Sequence, residues 1–142
     1  MQHSKILGSR SERIVLQIED DPANAEVVTE LLARRSDMKL QTAINGPQGI
    51  EMACTLLPNV ILLDMRMPGM SGLDVLPLLR GNPATALIPV IALSSNAYPR
   101  EIKKCLDAGV FGYLTKPYLI DDLTALIDAA MRFPSENRLT TQ

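Results

Sequence analysis

Residues 59–72 read NVILLDMRMPGMSG. Four apolar residues, Val60 to Leu63, run straight into Asp64, and a loop with one proline and two glycines follows. A short apolar run without polar alternation suits a strand covered on both faces, as in a parallel sheet. A carboxylate at the tip of such a strand calls for a partner from elsewhere in the chain.

Outward from this strand, the chain alternates strand and helix. Ile14 to Ile18 reads as a buried strand, followed by the acidic turn EDDP. Pro22 opens a helix, where its missing N–H costs nothing, and Val27, Val28, Leu31 and Leu32 recur at helical spacing up to about Arg35. Met38 to Ala43 alternates as a strand, NGP breaks the chain, and Gln48 to Leu57 forms a second helix that Pro58 stops. After Asp64, Ser71 is a candidate N-cap with Asp74 three residues on as the acidic half of a capping box. Leu73, Leu76 and Leu79 carry a third helix to about Arg80, and Pro77 inside it predicts a kink or a late or broken start. Pro89 to Leu93 is the fourth strand, Pro99 to Gly109 the fourth helix with Gly109 as a left-handed C′ residue, and Tyr113 to Thr115 a short fifth strand. A fifth helix runs from about Ile120 to Met131.

The expected organisation is a leader over 1–12, one domain over 13–132 and a loose tail over 133–142. The expected fold is a single α/β (βα)5 sandwich with a five-stranded parallel sheet, doubly wound and flavodoxin-like.

The 142 residues, 46% hydrophobic and 21% charged, suit one soluble domain with a real core. A net charge of -2 gives no reason to expect nucleic acid or an anionic membrane as partner. The apolar runs are too short to span a bilayer, and MQHSKILGSR lacks a secretory core. Cys54 and Cys105 form no CxxC pair, so neither a metal site nor a disulfide framework is read, and a reducing, cytoplasmic setting fits. His3, the only histidine, lies in the polar leader, which leaves no material for Ser-His-Asp or His-Cys chemistry.

In open parallel sheets, ligands bind beyond the carboxyl ends of the strands. Those ends carry Glu19, Asp20 and Asp21, then Asp64, then Ser94 and Ser95, then Thr115, Lys116 and Pro117. Two carboxylates roughly 5 Å apart repel by about 3 kcal/mol at an effective dielectric near 20. Such a cluster needs a cation, a shared proton or a paired lysine. Lys116 supplies one charge, and oxygen-only ligands suit Mg²⁺ for the rest. Each feature alone has a structural explanation: a strand-end Asp caps turns, EDD favours a helix dipole, and TKP is common loop chemistry. Together, on one sheet edge and in a consistent order, they are far more specific.

The segments IEDDP, ILLDMRMPGMSG, PVIALSSNA and FGYLTKP resemble the receiver domain of two-component response regulators, over about Ile14 to Met131. YLTKP and IEDDPAN are most similar to receivers of hybrid sensor histidine kinases. The resemblance implies a signalling domain rather than an enzyme, which catalyses only its own phosphorylation from a phosphohistidine. Carried onto this chain, Asp64 is the phosphoacceptor, Ser94 hydrogen-bonds the phosphoryl group and Lys116 pairs with carboxylate and then phosphate. Glu19, Asp20, Asp64 and the backbone carbonyl of Arg66 are the Mg²⁺ ligands, with Glu19 acting through water. Tyr113 is the aromatic that turns inward when Ser94 engages phosphate. The family often has Asp at Glu19 and Thr at Ser94; both changes keep the chemistry. Arg66 and Asn96 would border the path of a hydrolytic water. Expected partners are a histidine kinase or a histidine phosphotransfer protein, with weak homodimerisation besides, and neither nucleic acid nor membrane. The docking edge is Ala23, Asn24 and Val27 with Pro117 to Ile120, unless Tyr118 and Leu119 pack under the fifth helix.

The chemistry also stands without the resemblance. An aspartate carboxylate is a competent nucleophile for phosphoryl transfer, and fixed charges around a loose transition state supply the catalysis. Three rival readings have less support. A phosphatase with an aspartyl-phosphate intermediate typically carries Asp-x-Asp, and here Arg66 fills the second position. A flavin module wants a hydroxyl- or glycine-rich phosphate loop after the first strand, where EDDPAN is acidic. A docking-only receiver would not need the full acidic, hydroxyl and lysine set. No output domain is expected after Met131, so the chain reads as a stand-alone receiver or a piece of a larger kinase or regulator.

Overall fold

β3 is Val60–Asp64, and all five of its residues are buried. A computed structural model of the chain describes the backbone of residues 12–141 and side chains over 12–132. Around β3 lie β1 (Arg13–Ile18), β2 (Met38–Ala43), β4 (Val90–Ser94) and β5 (Gly112–Thr115). The sheet order is β2-β1-β3-β4-β5, and every pairing is parallel. The chain reverses direction across the sheet between β1 and β3, which opens a crevice at their carboxyl ends. The expected α/β sandwich is therefore the observed one.

The helices are α1 (Pro22–Leu32), α2 (Gly46–Leu56), α3 (Gly72–Arg80), α4 (Pro99–Asp107) and α5 (Ile120–Thr141). Strand alternation sorts the core into two layers. Leu16, Ile18, Ile61, Leu63 and Ala92 meet Ala53 of α2, Leu76 and Leu79 of α3 and Cys105 of α4. Val15, Val60, Leu62, Ile91 and Leu93 meet Val28 and Leu32 of α1 and Leu123 and Ile127 of α5. Fully burying one such Leu or Ile contributes about 1.5–3 kcal/mol, so the central strands are the rigid base of whatever stands at their tips. Among the described residues, no helix is long and apolar enough to cross a membrane.

Local chemistry explains most element ends. Asp21 caps α1 by accepting from the Ala23 N–H at 3.0 Å. NGP is more than a break: Asn45 caps α2 by accepting from the Gln48 N–H at 2.8 Å, so the helix starts at Gly46. A Cβ on Gly49 would overlap the Ile18 side chain, so α2 can lie this close to the sheet only with glycine there. Gly109 follows α4 with φ +100, as a left-handed C′ residue.

Two expectations need correction. α3 is capped at Ser71 with the full capping box and runs from Gly72 to Arg80 across Pro77, neither late nor broken. Proline removes only the bond to the Leu73 carbonyl, and the buried Val75, Leu76 and Leu79 hold the helix on the sheet. α5 continues past Met131 to Thr141, where a loose tail was expected. The apolar period set the expected end, while backbone hydrogen bonding needs no apolar face. The expected leader and His3 lie outside the described residues, apart from Glu12.

Candidate functional site

The crevice at the carboxyl ends of β1 and β3 gathers three carboxylates. Glu19, Asp20 and Asp64 each offer an oxygen within 4.8 Å of the others. β1 and β3 pair from Val15↔Val60 to Ile18↔Leu63, so the residues after those pairs, Glu19 and Asp64, emerge side by side. Glu19 and Asp64 are each only 6% exposed, while Asp20 is half-buried. The Asp21 N–H donates to Glu19 Oε2 at 3.2 Å, and the Arg66 N–H donates to Asp64 Oδ1 at 3.2 Å. The backbone of Arg66 thus lies against the cluster.

Lys116 reaches the same place from the end of β5. Its Nζ stands 3.5 Å from Glu19 Oε1 and 3.5 Å from Asp64 Oδ1. One ammonium shared by two buried carboxylates leaves the cluster short of positive charge. The Glu19 carboxyl shows this: burial, then the hydrogen bond and the charge of Asp64, push it up to about 7, against the pull of the Asp21 N–H and Lys116. A site that holds a proton for want of a cation suits a divalent ion, and an all-oxygen donor set suits Mg²⁺.

Ser94 ends β4 and is 5% exposed. The Lys116 N–H donates to its carbonyl at 2.7 Å, which ties the lysine to the hydroxyl-bearing strand. Ser94 Oγ accepts from the Asn96 N–H at 3.1 Å. Tyr113 of β5 donates its hydroxyl to the Asn96 carbonyl at 2.5 Å. Ser94 and Tyr113 are thus joined through one residue, Asn96. Sequence reading placed Asn96 only beside a water path. Its signal was an Asn two residues after a strand-end Ser, placed to accept from its own backbone in a turn; its side chain does so with the Tyr98 N–H at 2.9 Å. A cavity of about 160 Å³ lies here, lined by Arg66, Ser94, Asn96, Cys105 and Tyr113 among others.

A second groove, of about 460 Å³, opens on the other side of Lys116, between α1 and the β5–α5 loop. Asn24, Val27, Pro117 and Tyr118 line it together with Glu19. Val27 is 52% exposed and Leu119, next in sequence to Tyr118, 70%, whereas Tyr118 is half-buried against the α1/α5 core. The alternative role as core thus holds for Tyr118, and Leu119 stays exposed. Sequence reading missed Gln17, a buried polar residue inside the first strand. The only signal was a carboxamide amid IVLQI.

Known proteins resemble this chain in sequence and fold. The model of the response regulator receiver domain matches residues 15–128. The chain is 33% identical over 118 residues to the DNA-binding dual master transcriptional regulator RpaA of Synechocystis, covering 83% of this chain and 48% of that protein. It is 32% identical over 121 residues to the two-component response regulator ORR6 of rice, covering 83% of this chain and 71% of that one. It therefore spans about half the length of some of these relatives. Among solved structures, the receiver domain of the sensor histidine kinase PA1611 of Pseudomonas aeruginosa, described with a magnesium ion coordinated in its active-site cleft, is 28% identical with a TM-score of 0.77, covering 84% of this chain and 98% of that one. The chemotaxis protein CheY4 of Vibrio cholerae, at 22% identity and a TM-score of 0.78 over 84% of this chain and 98% of that one, shares the fold.

Proposed function

The chain belongs to the response regulator receiver domain family, and on that footing we propose that it takes a phosphoryl group from a phosphohistidine onto Asp64 in a two-component phosphorelay. One observation carries the reading above others. A buried carboxylate at the tip of a rigid central strand lies within reach of two further carboxylates and one bridging ammonium.

The Asp64 carboxylate attacks the phosphorus, the phosphorus–nitrogen bond of the donor breaks, and the histidine leaves with the electron pair. An acyl phosphate forms on Asp64. Glu19, Asp20, Asp64 and the Arg66 backbone carbonyl would hold Mg²⁺, which supplies positive charge to the phosphoryl oxygens when bound. Lys116 gives up its carboxylate partner and pairs with a phosphoryl oxygen. Ser94 Oγ now accepts from the Asn96 N–H, which leaves its own O–H to donate to the phosphoryl group. Engaging Ser94 shifts the Ser94–Asn96 loop, and Tyr113 moves with it because its hydroxyl is bonded to the Asn96 carbonyl.

Phosphorylation thereby changes which partners bind. A histidine kinase or histidine phosphotransfer protein docks over the groove between α1 and the β5–α5 loop, which Asn24 and exposed Val27 line together with Glu19 and Lys116 of the site. Charge substitutions at Asn24 and exposed Val27 should slow transfer from such a donor and spare labelling by a small one; unchanged transfer removes this docking site. No nucleic-acid contact is proposed for residues 13–132.

The central test is incubation of the full chain with acetyl phosphate and Mg²⁺, followed by mass measurement and mapping. The expected result is one added phosphoryl group, on Asp64, and none in excess EDTA. Label on another residue, or labelling that persists without divalent ions, refutes the reading.

A further inference from the structure

β1 carries one polar residue where its neighbours are core. Gln17 is 2% exposed and lies on the α1/α5 side of the sheet, between Val15 and Glu19. Its Nε2 donates to the Ala25 carbonyl of α1 at 3.1 Å and to Thr42 Oγ1 of β2 at 3.0 Å, with Thr29 Oγ1 at 3.5 Å. Thr29 Oγ1 donates to the same Ala25 carbonyl at 2.9 Å. A buried carboxamide costs desolvation unless its groups are bonded, and an apolar side chain would fill the space without that cost. The reason for the polarity therefore lies in what the bonds hold.

They hold the unanchored part of a helix. The buried residues of α1 are Val28 and Leu32, both in its second half. From Pro22 to Val27 no residue is buried, so no apolar side chain fixes the first turns to the sheet. What fixes them is the Asp21 cap at the start and Gln17 one turn along. The bonds connect further: the Ala25 N–H donates to the Asp21 carbonyl at 3.0 Å, and the Asp21 N–H donates to Glu19 Oε2 at 3.2 Å. Asp20 lies between the two residues of that last bond.

We propose that Gln17 is a positioning residue for phosphoryl transfer: through Ala25 it sets the height and rotation of the first turns of α1, and so the placement of Asp20 in the acidic cluster. This rests on the reading of that cluster as a Mg²⁺ site. Gln17 touches neither metal nor phosphate; it acts only through α1.

The test uses the full chain and two variants. Gln17→Met keeps length and bulk and removes the donor. Thr42→Val keeps the strand-favouring shape and removes one acceptor, so it carries the test if Gln17→Met fails to fold. In metal-free buffer, hydrogen exchange at amides 23–29 should rise about fivefold relative to those of β3, the loss of about one net hydrogen bond. The Kd for Mg²⁺, titrated with magnesium chloride, should rise by a similar factor. Labelling by acetyl phosphate should fall at limiting Mg²⁺ and return to the wild-type rate at saturation, a recovery that general destabilisation would not give. Thr42→Val should show the same pattern, more weakly. A wild-type Kd in folded Gln17→Met, or in Thr42→Val where that protein does not fold, overturns the proposal. So does a rise in exchange spread evenly over α1 and the sheet. If the wild type itself binds no Mg²⁺, the metal reading fails first and the proposal with it; a wild type that binds, with variants that match it, refutes the proposal alone.

Discussion

The two edges of the sheet handle buried charge in opposite ways. At the amino-terminal edge, Arg80 ends α3 and donates to the carbonyls of Ala86 at 3.2 Å, Ile88 at 2.9 Å and Gly109 at 2.7 Å. Burial pulls its guanidinium below the ordinary value, and three carbonyls at loop and helix ends answer the charge. At the carboxyl-terminal edge, three carboxylates cluster, one ammonium stands 3.5 Å from two of them, Glu19 and Asp64, and burial beside Asp64 pushes the Glu19 carboxyl up to about 7. One edge is electrostatically closed and ties α3, α4 and β4 together. The other is left open, at a cost in stability, and the open one is where chemistry has room to occur.

The comparison is sharpest in a pair of substitutions with opposite expected signs. Asp64→Asn should lose all labelling by acetyl phosphate, yet be more stable than the wild type without metal by about 1 kcal/mol, since it removes one of the mutually repelling charges. Arg80→Met should keep labelling in the folded protein and lose about 2 kcal/mol, because carbonyls now paired with the guanidinium are left short of donors. Chemical denaturation measures both. If Asp64→Asn is the more destabilising of the two, the distinction between the edges is wrong.

A smaller effect is expected from pH. A carboxyl whose folded pKa stands above its unfolded value keeps a proton that the unfolded chain has released. The contribution of Glu19 to stability is therefore full below about pH 4.5 and is lost as pH rises through about 7. In metal-free buffer, stability should fall with rising pH across that window. The slope should disappear in Glu19→Gln and flatten in saturating Mg²⁺; an equal slope in Glu19→Gln removes Glu19 as its source.

The smallest effect concerns the lifetime of the acyl phosphate. Arg66 is exposed and lines the cavity beside Ser94 and Asn96. If its guanidinium screens the phosphorus from water, Arg66→Ala should release phosphate about threefold faster, the scale of one exposed charged contact. Slower release in the variant means that Arg66 assists hydrolysis instead.

Much of this was legible in the sequence, for reasons that differ by residue. Val60 to Leu63 and Val90 to Leu93 announce buried parallel strands, because a strand covered on both faces cannot alternate. Once those strands are aligned, Glu19, Asp64, Ser94 and Lys116 fall on one edge by topology alone. Pro77 misled as to where α3 starts and whether it is continuous, because propensity counts a lost hydrogen bond and overlooks the packing of Leu76 and Leu79 beside it. Asn45 was read as a break when it is a cap, since NGP is turn-like until its side chain is seen to bond Gln48. Gln17 stayed hidden because its partners, Ala25 and Thr42, are brought to it only by the tertiary fold.

The sheet order also divides the site by origin. All three acids come from one stretch, Glu19 to Asp64, and the hydroxyl, the aromatic ring and the ammonium from another, Ser94 to Lys116. In the sheet, only the β3–β4 ladder joins the two halves, from Ile61↔Val90 to Asp64↔Leu93. Any partial fold with the first half alone carries its carboxylates without their counter-ion. Any partial fold with the second half alone carries Ser94, Tyr113 and Lys116 without the acids. The full set of side chains thus comes together only across this seam, where Asp64 pairs with Leu93 and Ser94 follows.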